Sequence, residues 1–123
     1  MTASDGRPKD PVLLESTPTE NGVRLLLEVP AGLAWFEGHF PAEAVLPGVV
    51  QTGWAIAFAR ERFGFAADPL KLEQVRFQQP VRPWARIELE LTRDPGHPAR
   101  VSWRFSQAGE AVGRGRMVFA GTS

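Results

Sequence analysis

Only one stretch of this chain can hold a helix, and that stretch is apolar on nearly every side. It runs from Pro47 to about Gly64 and contains Val49-Val50-Gln51-Thr52-Gly53-Trp54-Ala55-Ile56-Ala57-Phe58-Ala59. Charge enters only at its end, in Arg60, Glu61 and Arg62. Pro47 suits a first helical turn, where its missing N–H costs nothing. Gly64 is suited to the left-handed residue that stops a helix. A helix without a polar face has to be buried. In a chain of 123 residues, the rest of the sequence must therefore wrap around it.

Most of the remainder reads as strand. Val23, Leu25, Leu27 and Val29 alternate with Arg24, Leu26 and Glu28, the period of a half-buried strand. Leu72 to Gln79 is a second candidate, with Val75 and Phe77 expected on one face. Arg86 to Thr92 alternates cleanly, with Ile87, Leu89 and Leu91 inward. Arg100 to Ser106 places Val101, Trp103 and Phe105 inward, and Val112 to Ala120 does the same with Met117 and Phe119. Asp94-Pro95-Gly96 and Gln107 to Gly109 are turn candidates. Short turns favour antiparallel pairing. The expected fold class is α+β, a curled antiparallel sheet wrapped around one central buried helix. Residues 1–11 read as a flexible tail and 12–123 as a single domain. Between the first strand and the helix, Pro30 to Leu46 is irregular. Its Leu33, Trp35, Phe36 and Phe40 require that it be packed down.

Charge and composition narrow the functions. Fourteen basic residues balance fourteen acidic ones, so nothing draws the chain to a phosphate backbone or an anionic membrane. Twelve of the basic residues are Arg, whose planar fork suits carboxylate and phosphate. There is no cysteine, which excludes disulfides and thiol catalysis. His39 and His97 lie far apart in sequence, so no metal site is expected. Residues Met1 to Asp10 lack the apolar core of a signal peptide, and no run is long enough to span a bilayer. The expected location is cytoplasmic.

The informative stretch is Phe36-Glu37-Gly38-His39-Phe40-Pro41, followed by Ala44-Val45-Leu46-Pro47-Gly48-Val49 at the helix start. It resembles the signature of the FabA/FabZ-type dehydratases, in which a G-H-F-P turn precedes P-V-x-P-G-V and a helix. Only the first proline of the second part is lost. Val75-Arg76-Phe77-Gln78-Gln79-Pro80-Val81-Arg82-Pro83 resembles the family's R-F-x-x-P-V-x-P strand. The run Val50-Gln51-Thr52-Gly53-Trp54 is most similar to the ApeI-like branch that serves aryl-polyene synthesis. The resemblance implies the hot-dog fold and an active-site histidine at His39. Phe40, Pro41, Val49, Gly53 and Trp54 would line the substrate pocket.

The residue types suit that chemistry. Dehydrating a 3-hydroxyacyl thioester removes a proton beside the carbonyl and a hydroxyl from the next carbon. An imidazole can act as the base near neutral pH. Charge gathering on the thioester oxygen is stabilised by free N–H groups at a helix N-terminus, and Gly48 sits there. One position departs from the family. Five residues after the motif glycine the relatives carry a Glu or Asp, implied to protonate the leaving hydroxyl across a dimer interface. Here that position is Gly53.

The resemblance further implies a substrate held on the phosphopantetheine of an acyl carrier protein, no cofactor, and a homodimer whose sheets join edge to edge. A small domain with a sheet edge and many aromatic side chains independently gains from a partner. Arg76, Arg82 and Arg86 around the motif-bearing strand are candidates for docking an acidic carrier. Gly53 keeps a second reading open, a catalytically weakened subunit that binds acyl chains or partners an active dehydratase. A hot-dog thioesterase ranks third, because the helix lacks a carboxylate to activate water.

Overall fold

The computed structural model describes residues 10–29, 46, 48–81 and 86–120. His39, Phe40, Pro41, Pro47, Arg82 and most of the irregular segment before the helix lie outside the described residues. The described elements are β1 (Val12–Thr19), β2 (Gly22–Glu28), α1 (Gly48–Phe63), β3 (Lys71–Phe77), β4 (Arg86–Asp94), β5 (His97–Gln107) and β6 (Glu110–Val118). The strands form one antiparallel sheet in the order β1-β2-β4-β5-β6-β3. β3 follows the helix in sequence but joins the sheet at its far edge, beside β6.

The alternating strands bury the faces that their patterns indicate. Val23, Leu25 and Leu27 of β2, Ile87, Leu89 and Leu91 of β4, and Val101, Trp103 and Phe105 of β5 form the core with Met117 of β6 and Phe119 just beyond it. Val50, Trp54, Ala55 and Ala59 of α1 close it from the other side. The helix ends as its sequence indicates. Gly64 takes a φ of 76°, and its N–H and that of Phe65 both donate to the Arg60 carbonyl. Phe65 then stacks on Phe119, with centroids 3.8 Å apart.

Two expectations need correction. Val12–Thr19 is a strand that its sequence does not announce. It has no polar–apolar alternation because both of its faces are open, and its register slips between Leu13 and Glu15. Second, the helix is not buried all round. Val49 is 78% exposed, and Gly53 and Ala57 are also exposed. These positions lie four residues apart and so form one stripe. Within the protomer the sheet reaches only the opposite face.

Two glycines mark opposite extremes of packing. The indole of Trp103 fills the place where a Cβ on Gly115 would stand. Nothing lies within 4 Å of the corresponding point at Gly53. Gly115→Ala is expected to destabilise the protein by about 1–3 kcal/mol, the usual cost of overpacking a core. Gly53→Ala, an open helical site, should instead stabilise it by about 0.5–1 kcal/mol. Urea unfolding of the two variants checks both signs.

Candidate active site

The start of α1 is built around a bare backbone. Gly48 is the first residue of the helix, and the first N–H groups of a helix have no partner within it. The Phe77 ring of β3 packs onto Gly48 so closely that a Cβ there would stand 2.7 Å from a ring carbon. The same ring would meet a Cβ on Gly113 at 3.0 Å. A side chain at Gly48 would have to push the ring aside, and one at Gly113 would crowd it by a few tenths of an ångström. Thr52 Oγ1 donates to the Gly48 carbonyl at 3.0 Å and tightens the first turn. The Leu46 N–H donates to the Val81 carbonyl at 2.6 Å. This bond ties the residue before the helix to the segment after β3. Leu46, Gly48, Gln51, Phe77, Gln79 and Pro80 enclose a recess of about 340 Å³ at this corner.

Among the described residues, Gln51 and Thr52 are the buried polar side chains. Gln51 is 3% exposed, and its Nε2 donates to the Leu46 carbonyl at 3.2 Å. Its Oε1 is buried without a hydrogen-bond partner. An unmet buried acceptor is a costly feature, on the order of 1–3 kcal/mol. The sequence shows Gln51 as a lone amide in an apolar helix and as part of the Val50–Trp54 run, and neither signal indicates an unmet acceptor. Phe77 was legible as an apolar strand residue but not as the ring that covers Gly48.

The remaining described site candidates do not converge within one protomer. Trp54 is turned into the core and is 5% exposed. Gly53 opens on a different side, onto a surface recess of about 330 Å³ shared with Ile56, Ala57, Arg60 and Leu72. Val49 points outward along the same open stripe. A rotation of about 100° per residue puts neighbours such as Gly53 and Trp54 on different faces. Only Gly48, of the described candidates, borders the recess at the helix start.

The expected arginine cluster is also rearranged. Arg86 lies on β4, three strands from Arg76 on β3, and pairs with Glu28 at 3.7 Å. Arg76 instead stands opposite Arg114, which stands opposite Arg104. Register shifts the β3 side chains between Glu73 and Arg76, with Gln74 at a φ of 54°. The result is a row of three arginines on the sheet's outer face, without an ion-pair partner among the described residues. Their neighbour Arg116 is neutralised by Glu73 at 3.0 Å. Hydrogen bonds from Lys71 and then Arg116 hold the Glu73 carboxyl below its ordinary range.

Among the described residues, no group of His, Asp or Glu could hold a metal, and no helix is long and apolar enough to cross a membrane.

Comparison with known proteins agrees with the fold and with the family that the sequence resembles. A solved structure of the dehydratase heterocomplex ApeI:P from Xenorhabdus doucetiae superposes with a TM-score of 0.78 at 24% identity, covering 89% of this chain and 96% of that one. An uncharacterized protein from Erwinia carotovora subsp. atroseptica superposes at 0.75 with 28% identity, covering 88% and 94%. The sheet wrapped on one helix is thus the hot-dog fold. The 3-hydroxyacyl-[acyl-carrier-protein] dehydratase FabZ of Roseiflexus sp. is 31% identical over 86% of this chain and 70% of its own length. That of Syntrophobacter fumaroxidans is 38% identical, but over 46% of this chain and only 44% of its own length. The family described as ApeI dehydratase matches residues 15–116. By that match, across nearly all of the described sheet and helix, the chain belongs to the ApeI-like dehydratases.

Proposed function

We propose that this protein dehydrates a 3-hydroxyacyl group carried as a thioester on an acyl carrier protein, in fatty-acid, polyketide or aryl-polyene-type synthesis. The observation that carries the reading is the bare helix start at Gly48, bordering a recess, in a chain of the ApeI-like family. In this reading the His39 imidazole takes the proton from the carbon beside the carbonyl. The Gly48 N–H donates to the thioester oxygen as negative charge gathers there. The C–O bond at the next carbon then breaks, and the hydroxyl leaves as water. The substrate is held on phosphopantetheine and no cofactor is needed. The compartment would be the cytoplasm.

Gly53 bears on the last proton. Its position on the open stripe of α1 fits the family's arrangement, in which the acid of one subunit reaches the other's site. With glycine there, the proton has to come from a water or from the imidazolium itself. A weakened subunit that partners an active dehydratase is the second reading, favoured by the same glycine.

The subunit partner is proposed to be a second copy of this chain. β3 lies at a sheet edge with Leu72, Val75 and Phe77 exposed beside Leu70, which is 73% exposed. An apolar edge of this kind is usually covered by another strand. The open helix stripe of Val49, Gly53 and Ala57 would be covered by the same partner. Because the Xenorhabdus structure is a heterocomplex, a different hot-dog chain is the alternative occupant. The acyl carrier protein, being acidic, would be attracted by the unpaired row Arg76, Arg114 and Arg104.

Incubation with 3-hydroxyacyl thioesters should yield the enoyl product, and His39→Ala should lower the rate by about a hundredfold or more. Gly53→Glu should raise it. Rapid turnover that survives His39→Ala would overturn the role given to His39, free acid would point to a thioesterase, and no product from any thioester would favour the weakened subunit. Light scattering at micromolar concentration should give twice the protomer mass of 13.5 kDa. A mass of one protomer would contradict the homodimer.

A further inference from the structure

We infer that Gln51 binds the substrate's 3-hydroxyl group, and so selects hydroxylated acyl chains over saturated ones. The inference rests on the reading of the Gly48 corner as the site of a 3-hydroxyacyl dehydratase. Gln51 is buried to 3% exposure within an apolar helix, yet one of its two polar atoms is unmet. The orientation of the amide is fixed by its partner. The Leu46 carbonyl can only accept, so Nε2 faces it and Oε1 faces away. Oε1 lies toward Gly113, 3.2 Å from where a Cβ there would stand, and the Phe77 ring packs on the same point; Gln51 and Phe77 both line the recess that Gly48 borders. A buried acceptor left unmet behind one aromatic ring selects a ligand that, on displacing the ring, brings a donor.

The spacing identifies which donor. Gln51 follows Gly48 by three residues, which is about 4.5 Å along the helix axis. In a 3-hydroxyacyl thioester, the carbonyl oxygen and the 3-hydroxyl are carried on carbons separated by one methylene. A carbonyl held at the Gly48 N–H therefore brings the hydroxyl within reach of the next turn of the helix. The amides of the pantetheine arm lie on the far side of the sulfur, away from that turn. Phe77 is 47% exposed on the edge strand, and the inference requires its ring to swing outward as the chain enters. With its hydrogen donated to Gln51, the hydroxyl directs its lone pairs elsewhere, open to the proton that makes it water.

The test uses amide analogues of acyl-pantetheine, in which nitrogen replaces the thioester sulfur and elimination does not occur. A 3-hydroxyhexanoyl and a hexanoyl analogue are titrated calorimetrically into the wild-type protein. The hydroxylated analogue should bind roughly tenfold more tightly, the worth of one hydrogen bond to an otherwise unmet group. A 3-fluorohexanoyl analogue keeps the size and dipole but has no donor, and should lose the advantage. Gln51→Met should abolish the preference while leaving hexanoyl affinity within about twofold. Equal wild-type affinities, or a preference unchanged by Gln51→Met, would overturn the inference. If Gln51→Met does not fold, the wild-type comparison of hydroxyl with fluorine decides alone. Turnover is scored separately. Hydroxyl preference without enoyl product leaves Gln51 in place and removes the dehydratase reading, whereas product without preference does the reverse.

Discussion

The approach of α1 to the sheet depends on two alanines. Ala55 and Ala59 are fully buried, one turn apart on the inner face of the helix, and let its backbone come close to the strands. Trp54 and Val50 flank them and fill the space that the small residues leave at either side. This contact sets the height of the helix above the sheet. It thereby sets the distance from Gly48 to Phe77 and from Gln51 to Gly113. The corner where chemistry is proposed is thus a consequence of core packing. Methyl-sized residues in the middle of the helix decide how tightly its first turn is held against β3 and β6.

The sheet makes a second demand, for glycines opposite large rings. Trp103 lies over Gly115, and Phe77 lies over Gly48 and Gly113. The Gly113-Arg114-Gly115 run is therefore explained by two aromatic neighbours, with the intervening Arg114 turned to the outer face. The row of Arg76, Arg114 and Arg104 on that face places like charges directly opposite one another, which destabilises a sheet slightly. An anionic partner on the outer face would relieve that repulsion.

Much of this was legible in the sequence because a single core face leaves a period-2 imprint. β2, β4 and β5 each show it, and their buried residues are those that the alternation indicates. The helix was legible from its apolar run and its terminal Gly64. β1 was not legible, since an edge strand with both faces open carries no alternation. The open side of α1 was misread for a related reason. Val49, Ala57 and Val50 look alike in a sequence, although only Val50 faces the sheet, because apolar character does not tell an outward-facing helix position from an inward one. The bulge near Gln74 hid the row of arginines, as it resets which β3 side chains share a face. His39 was singled out by motif, a signal that owes nothing to periodicity. Gln51 was legible as a member of the Val50–Trp54 run but not as a side chain with an unmet atom, which only three-dimensional neighbours can reveal.

The strand order has a consequence for how the molecule comes into being. β3 is made directly after the helix, but its ladder partner is β6, with β4 and β5 between them in the chain. As the protein leaves the ribosome, β3 has no place in the sheet until two further hairpin strands have been synthesised and β6 has emerged. Pairing over such sequence separation is slow, and a waiting apolar strand is prone to engage neighbours. The Phe77 ring cannot settle onto Gly113 before that closing step. The proposed active corner is therefore among the last parts of the protomer to assemble, and a chain interrupted before β6 would carry the motif of an enzyme without the wall that gives it shape.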